Sequence, residues 1–518
     1  MKNPLFFHNH LDSARGIRFN SLPFFYTNHS CITMPFFGRK RLILAAMGMS
    51  ILLTSCVSKV APDEISKEAV FSVKTDLPSL KSSAEEGKTN WQWSHYLAAD
   101  AKPWWQQFDD PVLHEFIRLS LKNSRNLALL AGRLEEAVAN ARASRADLFP
   151  TITLNGQASV SSNDLEEAGL QSNPDRINAS SANFSLSWQT DIFGQLRNVS
   201  AADKARLQAE SSRLRDAQRL LVSEVVQNYY RLVSIRDRIE LTRASVARRA
   251  ENVDRIDQLL EQGYATVLDK TRTDSQLYEA RGSLAQLELD EITLLNQLSL
   301  LSGTALLQLR VSLQKTGQLP LPENSAPLPS ISLLVQHRPD LRAVERDLVS
   351  AAYNVNSSVA ALYPTLGFRV DVGKEAVDDL SGSFPALDVI TGSVIANLAM
   401  PILGRGRRLA AINVNSARLK QAHATFEETA LRVISEIDTA IASIDKNRVI
   451  YEQRELASAS AKEAAELSKE LFKAGELDYT SVILAEQTRV SSENNAINAK
   501  QVFLNAYIVY MAAVAPAW

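Results

Sequence analysis

The sequence predicts a mostly α-helical chain with a β-barrel contribution, organised as a tandem repeat of strand, strand, long helix, turn and helix. Three observations lead there. The stretches Gln195 to Gln262 and Arg407 to Ala474 contain neither Gly nor Pro, and at about 1.5 Å per residue each makes a rod of roughly 100 Å. Each rod follows a segment that reads as strand, Asn183 to Gln189 and Val394 to Ala399. The motifs flanking these elements recur in the same order in both halves.

The first half opens with Asn126-Leu127-Ala128 and stops at Leu148-Phe149-Pro150-Thr151; the second opens with Asp340-Leu341-Arg342 and stops at Leu362-Tyr363-Pro364-Thr365. Proline disfavours helical geometry in the residue before it, so a helix ends at each stop. Alternation follows. Thr151, Thr153 and Asn155 flank Ile152 and Leu154, Arg369 and Asp371 interleave with Phe368, Val370 and Val372, and Phe184, Leu186 and Trp188 alternate with Ser185, Ser187 and Gln189. Val394, Ala396 and Leu398 alternate more weakly. A period of two is that of a half-buried strand, and each half supplies two. Matching turns, Trp188 to Gly194 and Leu398 to Gly404, lead into the rods.

Within the rods, Leu232, Ile239, Val246, Val253 and Leu260 recur with a heptad spacing, as do Ile412, Leu419, Phe426, Val433 and Ala440. That spacing makes helices supercoil side by side. Both rods end at Leu-x-x-x-Gly, Leu259 to Gly263 and Leu471 to Gly475, where glycine can adopt the left-handed conformation that closes a helix. Returning helices are expected over about Leu268 to Leu301 and Ser481 to Val514. Pro320, Pro322, Pro327 and Pro329 exclude a helix between the halves. The expected organisation is a first repeat over 101–318, a linker over 319–332, a second repeat over 333–514 and a tail over 515–518.

Composition narrows the function. Lys and Arg total 56 against 58 Asp and Glu in 518 residues, so no basic excess exists to neutralise a phosphate backbone, and nucleic acid is not an expected partner. The two cysteines, Cys31 and Cys56, form neither a CxxC nor a Cys/His cluster, which argues against zinc and a disulfide framework. No phosphate-binding glycine loop, His-Glu-x-x-His or Gly-x-Ser-x-Gly occurs, so an enzyme is not expected.

From Met34 the chain reads as an export signal: Arg39-Lys40-Arg41, an apolar run Leu42 to Leu53, then small residues before Cys56. The run is about a dozen residues, short for a transmembrane helix. Translation is expected to start at Met34, leaving 1–33 as a mis-assigned start, 34–55 as signal and 56–100 as a tether. Leu53-Thr54-Ser55-Cys56 resembles the bacterial lipoprotein cleavage box, which implies a covalent diacylglycerol and N-acyl chain on Cys56 and no other cofactor. Val57 stands where an aspartate would resemble an inner-membrane retention signal, so outer-membrane sorting is expected.

Four strands cannot close a barrel, and open edges are not tolerated in lipid, so closure requires several chains. Here the residues meet a known family. Pro103-Trp104-Trp105, Phe108-Asp109-Asp110-Pro111-Val112-Leu113, Leu333 to Leu341, Asp191 to Arg197 and Pro401 to Arg407 closely resemble hallmarks of outer-membrane efflux proteins of the TolC/OprM type, lipoprotein (NodT-like) branch. The resemblance spans about Trp91 to Val514. It implies a homotrimer with a twelve-stranded β-barrel on a periplasmic α-helical coiled-coil barrel. It further implies an exit duct served by a periplasmic adaptor and an inner-membrane transporter of RND or ABC type. An outer-membrane component of type I protein secretion and a non-channel coiled-coil envelope lipoprotein are the alternatives.

In similar channels the periplasmic helix turns constrict the tunnel and meet the adaptor. Here those turns are Gly263 to Asp269 and Gly475 to Ser481, with Asp269 and Asp478 as candidate gate carboxylates, Tyr479 and Ser481 beside them, and Gly263 and Gly475 as hinges. Helix capping is the competing role for both carboxylates. Leu484 stands where the family often carries an aspartate, which implies a more apolar gate.

Overall fold

The computed structural model describes residues 60–62, 103–163, 175–313, 317–321, 338–379 and 387–514. The chain divides into Met1–Lys59 and Val60–Trp518. The first unit, with the expected signal and Cys56, lies outside the described residues, as do most of the tether and linker and the tail.

After a 3-10 turn, Trp104–Gln107, come α1 (Pro111–Asn123), α2 (Arg125–Ala146), β1 (Thr151–Asn163), β2 (Asp175–Thr190), α3 (Gln195–Glu261), α4 (Val267–Ser302) and α5 (Leu306–Ser312). The second half supplies α6 (Pro339–Ala360), β3 (Thr365–Asp379), β4 (Leu387–Ala399), α7 (Arg405–Lys473) and α8 (Tyr479–Val514). The halves match closely: α2 and α6 each have 22 residues, α4 and α8 each 36, and the rods α3 and α7 have 67 and 69. Both rods start after a glycine at positive φ, Gly194 at 83° and Gly404 at 82°. An L side chain is disfavoured there, so the turn is fixed twice by the same device.

The strands pair antiparallel in the order β1-β2-β3-β4. Two begin earlier than the alternation indicates, at Asp175 and Leu387. Ala179, Ser180, Ser181 and Ala182 carry little hydrophobic contrast, so periodicity fades while pairing continues to Ile177↔Asp379. Register gathers the apolar side chains on one face: Ile152↔Leu186, Leu154↔Phe184, Trp188↔Phe368 and Val370↔Val394. Ile152, Leu154, Val160, Phe184 and Val394 lie exposed on it. Trp188 stacks on Phe368 at 6.3 Å and donates its indole N–H to Leu148 O at 3.2 Å, tying the sheet to the helix that feeds it.

The main core lies midway along the rods. Leu113, Phe116 and Ile117 of α1 pack with Val225, Val226 and Leu232 of α3, Leu294 and Leu298 of α4, Val433 and Ile437 of α7, and Leu504 and Ile508 of α8. The heptad in α7 is buried at Leu419, Phe426, Val433 and Ala440, whereas in α3 Leu232 and Ile239 are buried and Val246, Val253 and Leu260 only partly. Packing thins toward the turns.

The family-like motifs act as caps around this core. Asp110 accepts from Val112 N and Leu113 N at 3.0 and 3.1 Å and from Tyr229 Oη at 2.6 Å, capping α1 and fastening it to α3. Arg338 is 1% exposed and donates to Ala513 O, Asp340 and Glu436 at 2.7–3.0 Å. Arg219 donates to Ala512 O at 2.6 Å. Two guanidinium groups thus meet the terminal carbonyls of α8, the negative end of its dipole. Burial alone would raise the Asp340 carboxyl, but the Arg338 bonds and charge hold it below the usual carboxylate range. Arg338→Ala would strand a buried carboxylate and a carbonyl and is expected to cost about 3–5 kcal/mol, read as earlier thermal loss of the helical circular-dichroism signal.

Candidate functional site

The two helix–helix turns are built alike. Gly263 N donates to Leu260 O at 3.0 Å and Tyr264 N to Leu259 O at 2.8 Å; Gly475 N donates to Phe472 O and Glu476 N to Leu471 O, both at 3.0 Å. These pairs close each rod with a Schellman motif around a glycine at positive φ, 76° at Gly263 and 79° at Gly475.

Each predicted gate carboxylate is bonded within its own turn. Asp269 completes a capping box: its N–H donates to Thr266 Oγ1 at 3.2 Å, while its carboxylate accepts from Thr266 N at 3.0 Å and Thr266 Oγ1 at 2.6 Å. Asp478, just before α8, accepts from Ser481 Oγ. The Thr266 bonds lower the Asp269 carboxyl and the Ser481 bond lowers that of Asp478. Counted from the glycines, Thr266 matches Asp478 and Asp269 matches Ser481, so the acid and hydroxyl of the box are exchanged between the repeats. Leu484 is 64% exposed and Tyr264 81%.

Tyr479 does reach beyond its own hairpin. It packs on Phe472 with ring centroids 5.2 Å apart and donates Oη to Asn252 Oδ1 of α3. Above it lies a cluster that sequence reasoning missed. Glu486 of α8 is gripped by Arg489 through two bonds of 2.7 and 3.0 Å, by Lys469 of α7 at 3.2 Å, and by Arg248 of α3 in an ion pair at 2.9 Å. Arg489 also holds Glu493 at 2.6 Å. One carboxylate, 19% exposed, thus joins three helices from both halves. The Glu486, Arg489 and Glu493 spacing reads in sequence as an ordinary one-face helix ladder. Only the fold brings Arg248 to it.

Arg489, opposed by partial burial and helped by Lys469, holds the Glu486 carboxyl at about 2 instead of 4.5. Among the described residues no helix is long and apolar enough to cross a membrane, and no group of three or more metal-ligating side chains occurs.

An amphipathic sheet continuous with two coiled-coil hairpins is the architecture of an outer-membrane channel protein. The family model described as outer membrane efflux protein matches residues 116–304 and 330–513, and the chain belongs to that family. It is similar to the pyoverdine export outer membrane protein OpmQ of Pseudomonas aeruginosa, 26% identical over 446 residues covering 82% of this chain and 91% of OpmQ. The probable outer membrane lipoprotein SilC of Salmonella typhimurium is 25% identical over 395 residues, covering 76% and 84%. The CmeC outer membrane channel of Campylobacter jejuni shares the fold at a TM-score of 0.74 and 20% identity, over 83% of this chain and 93% of that one. The chain is an exit duct of an efflux pump in the Gram-negative outer membrane.

Because the Glu486 pKa is depressed in the folded state, its stabilising contribution is complete above about 4.5 and is lost as pH falls toward about 2. Deuterium uptake over 248–252 and 479–489, corrected for intrinsic exchange, should rise through that window in the wild type and rise less in Glu486→Gln.

Proposed function

We propose that three copies assemble into a passive channel, with twelve strands closing a barrel in the outer membrane and the rods and return helices forming a periplasmic tunnel. The observation that carries this reading is the four-stranded sheet with an exposed apolar face and outer strands, β1 and β4, each paired on one side only. In lipid an unpaired backbone edge is untenable, and additional copies supply the missing partners. The polar face then lines water. Val60 exchanges hydrogen bonds of 2.8 and 2.7 Å with Asn356, near the end of α6 that leads into β3, and an acylated Cys56 anchors the chain to the membrane.

The tunnel is closed at its periplasmic end by the hairpin tips, with the Glu486 cluster and the Tyr479 to Asn252 bond latching the second hairpin to α3. A periplasmic adaptor meets these tips, and an inner-membrane transporter, of RND or ABC type, supplies the energy and selects the cargo. The names of the relatives span pyoverdine, cations and toluene, which supports a duct that passes diverse solutes. Opening swings the second hairpin about Gly475. Asp478 caps α8 of the moving hairpin, and Asp269 caps α4 of the first.

In planar bilayers the purified protein should conduct as a trimer. Glu486→Gln and Arg248→Gln should each raise single-channel conductance severalfold, because an ion pair with partial solvent exclusion is lost while the rods remain. Asp269→Ala should change it little. A sample that stays monomeric in mild detergent and electrically silent would exclude the channel in favour of a scaffold.

A further inference from the structure

The face of the sheet opposite the apolar band is mostly Ser, Thr, Asn and Gln. From the base of the strands up to the pair Ser181↔Glu375 it carries three charged side chains, Arg369, Asp371 and Glu375. Two of them form a built pair. Arg369 Nε donates to Asp371 Oδ1 and Oδ2 at 3.0 and 2.9 Å, and Ser393 Oγ of the neighbouring strand donates to the same carboxylate at 3.4 Å.

The two partners are unequally exposed. The Asp371 side chain is 19% exposed and that of Arg369 is 55%, so the carboxylate sits against the wall and the guanidinium stands off it. Among the described residues the terminal amino groups of Arg369 have no hydrogen-bond partner. Gly367 and Gly373 occupy the adjoining same-face positions on β3, and a Cβ at Gly373 would come within 2.6 Å of Asn183 Cβ. No side chain therefore flanks the pair along its own strand. A guanidinium held through Nε, with two terminal amino groups free, has the fork geometry that matches carboxylate and phosphate oxygens.

We propose that Arg369 is an anion-contact site in the wall of the duct, where solutes bearing carboxylate or phosphate are engaged as they leave the tunnel for the membrane segment. This rests on the barrel reading above, in which that face lines water. At 3.3 Å per residue Arg369 lies about 13 Å along β3 from its base, ahead of Asp371 and Glu375 on the outward path. Threefold repetition makes a ring of three forks. Asp371 orients each fork and offsets its charge at a distance, so the site acts by contact and does not bar cations. Glu375, beyond the pair, favours release of an anion outward.

The test is the reversal potential of wild type, Arg369→Gln, Arg369→Lys and Asp371→Asn in bilayers under a KCl gradient, with inorganic phosphate then added on the tunnel side. Arg369→Gln should lower the chloride-to-potassium permeability ratio about twofold or more, and Asp371→Asn should raise it, since the wall charge changes in opposite senses. Phosphate should reduce current in the wild type, less in Arg369→Lys, and not in Arg369→Gln. If Arg369→Gln still forms trimeric pores with the wild-type reversal potential and phosphate response, the site is overturned while the barrel stands. A wild-type phosphate response in Arg369→Lys would overturn the role of the fork. A wild type that forms no pore would fail the barrel reading itself, and the site with it.

Discussion

The main-chain hydrogen bonds of β1 and β4 are the constraint on which the rest of this structure depends. Each outer strand is paired on one side only, and about half of its N–H and C=O groups point away from that partner. In water such an edge is solvated, but beside lipid each unpaired group costs several kcal/mol. The apolar face formed by Ile152, Leu154, Phe184 and Val394 removes the aqueous option, because those side chains gain by leaving water. In the proposed barrel other copies complete the sheet at both edges. The rods follow from this. In the proposed ring, β2 and β4 continue into rods through glycine-set turns at Gly194 and Gly404 while β1 and β3 are entered from α2 and α6, which leaves the helices side by side, and side-by-side packing is what the heptads of α3 and α7 are written for.

Stability along the rods is graded, and the grading serves the function. Midway, buried Val, Leu, Ile and Tyr from both halves of the chain make a core too extensive to open locally. Beyond Ile444, α7 buries only Ala465 and Ser468, and in the last part of α3 only Ile256 is buried. Segments with few buried apolar contacts open at the low end of a protein's range of local stabilities. The tips are held largely by hydrogen bonds and ion pairs, Glu486 with its three cations and Tyr479 with Asn252. Such contacts act over short distances and can be exchanged for contacts to a partner, whereas a packed core cannot.

Legibility in the sequence follows range along the chain. Elements punctuated by Pro and Gly, the two rods, their Schellman ends and the returning helices read clearly because the governing interactions lie within a few residues. Strand starts at Asp175 and Leu387 were not legible, since Ser and Ala give β2 no hydrophobic contrast and Leu387, Val389 and Ile390 place apolar side chains on both faces of β4. The motifs around Asp110 and Arg338 identify the family, yet their work is structural: they cap α1 and seal the end of α8 over distances no local pattern records. Asp269 and Asp478 stood out as carboxylates at the turns, and their hydroxyl partners Thr266 and Ser481 make both into caps. The clamp escaped notice because Arg248 and Glu486 lie in different repeats, joined only when α3 packs on α8.

The two hairpins, though copies of one plan, are no longer equivalent. The first ends in a capping box and leaves Tyr264, Val267 and Leu268 exposed, 81%, 68% and 57%. The second reverses acid and hydroxyl in its box and turns Tyr479 against Asn252 of the first rod. Only the second is latched across the repeat by Glu486. In the proposed trimer the six tips therefore fall into two sets of three that differ in their caps and exposed side chains. Duplication supplied two rods of nearly equal length, 67 and 69 residues. The differences since then fall at the turns, where the seam is thinnest and where freeing one set need not disturb the other.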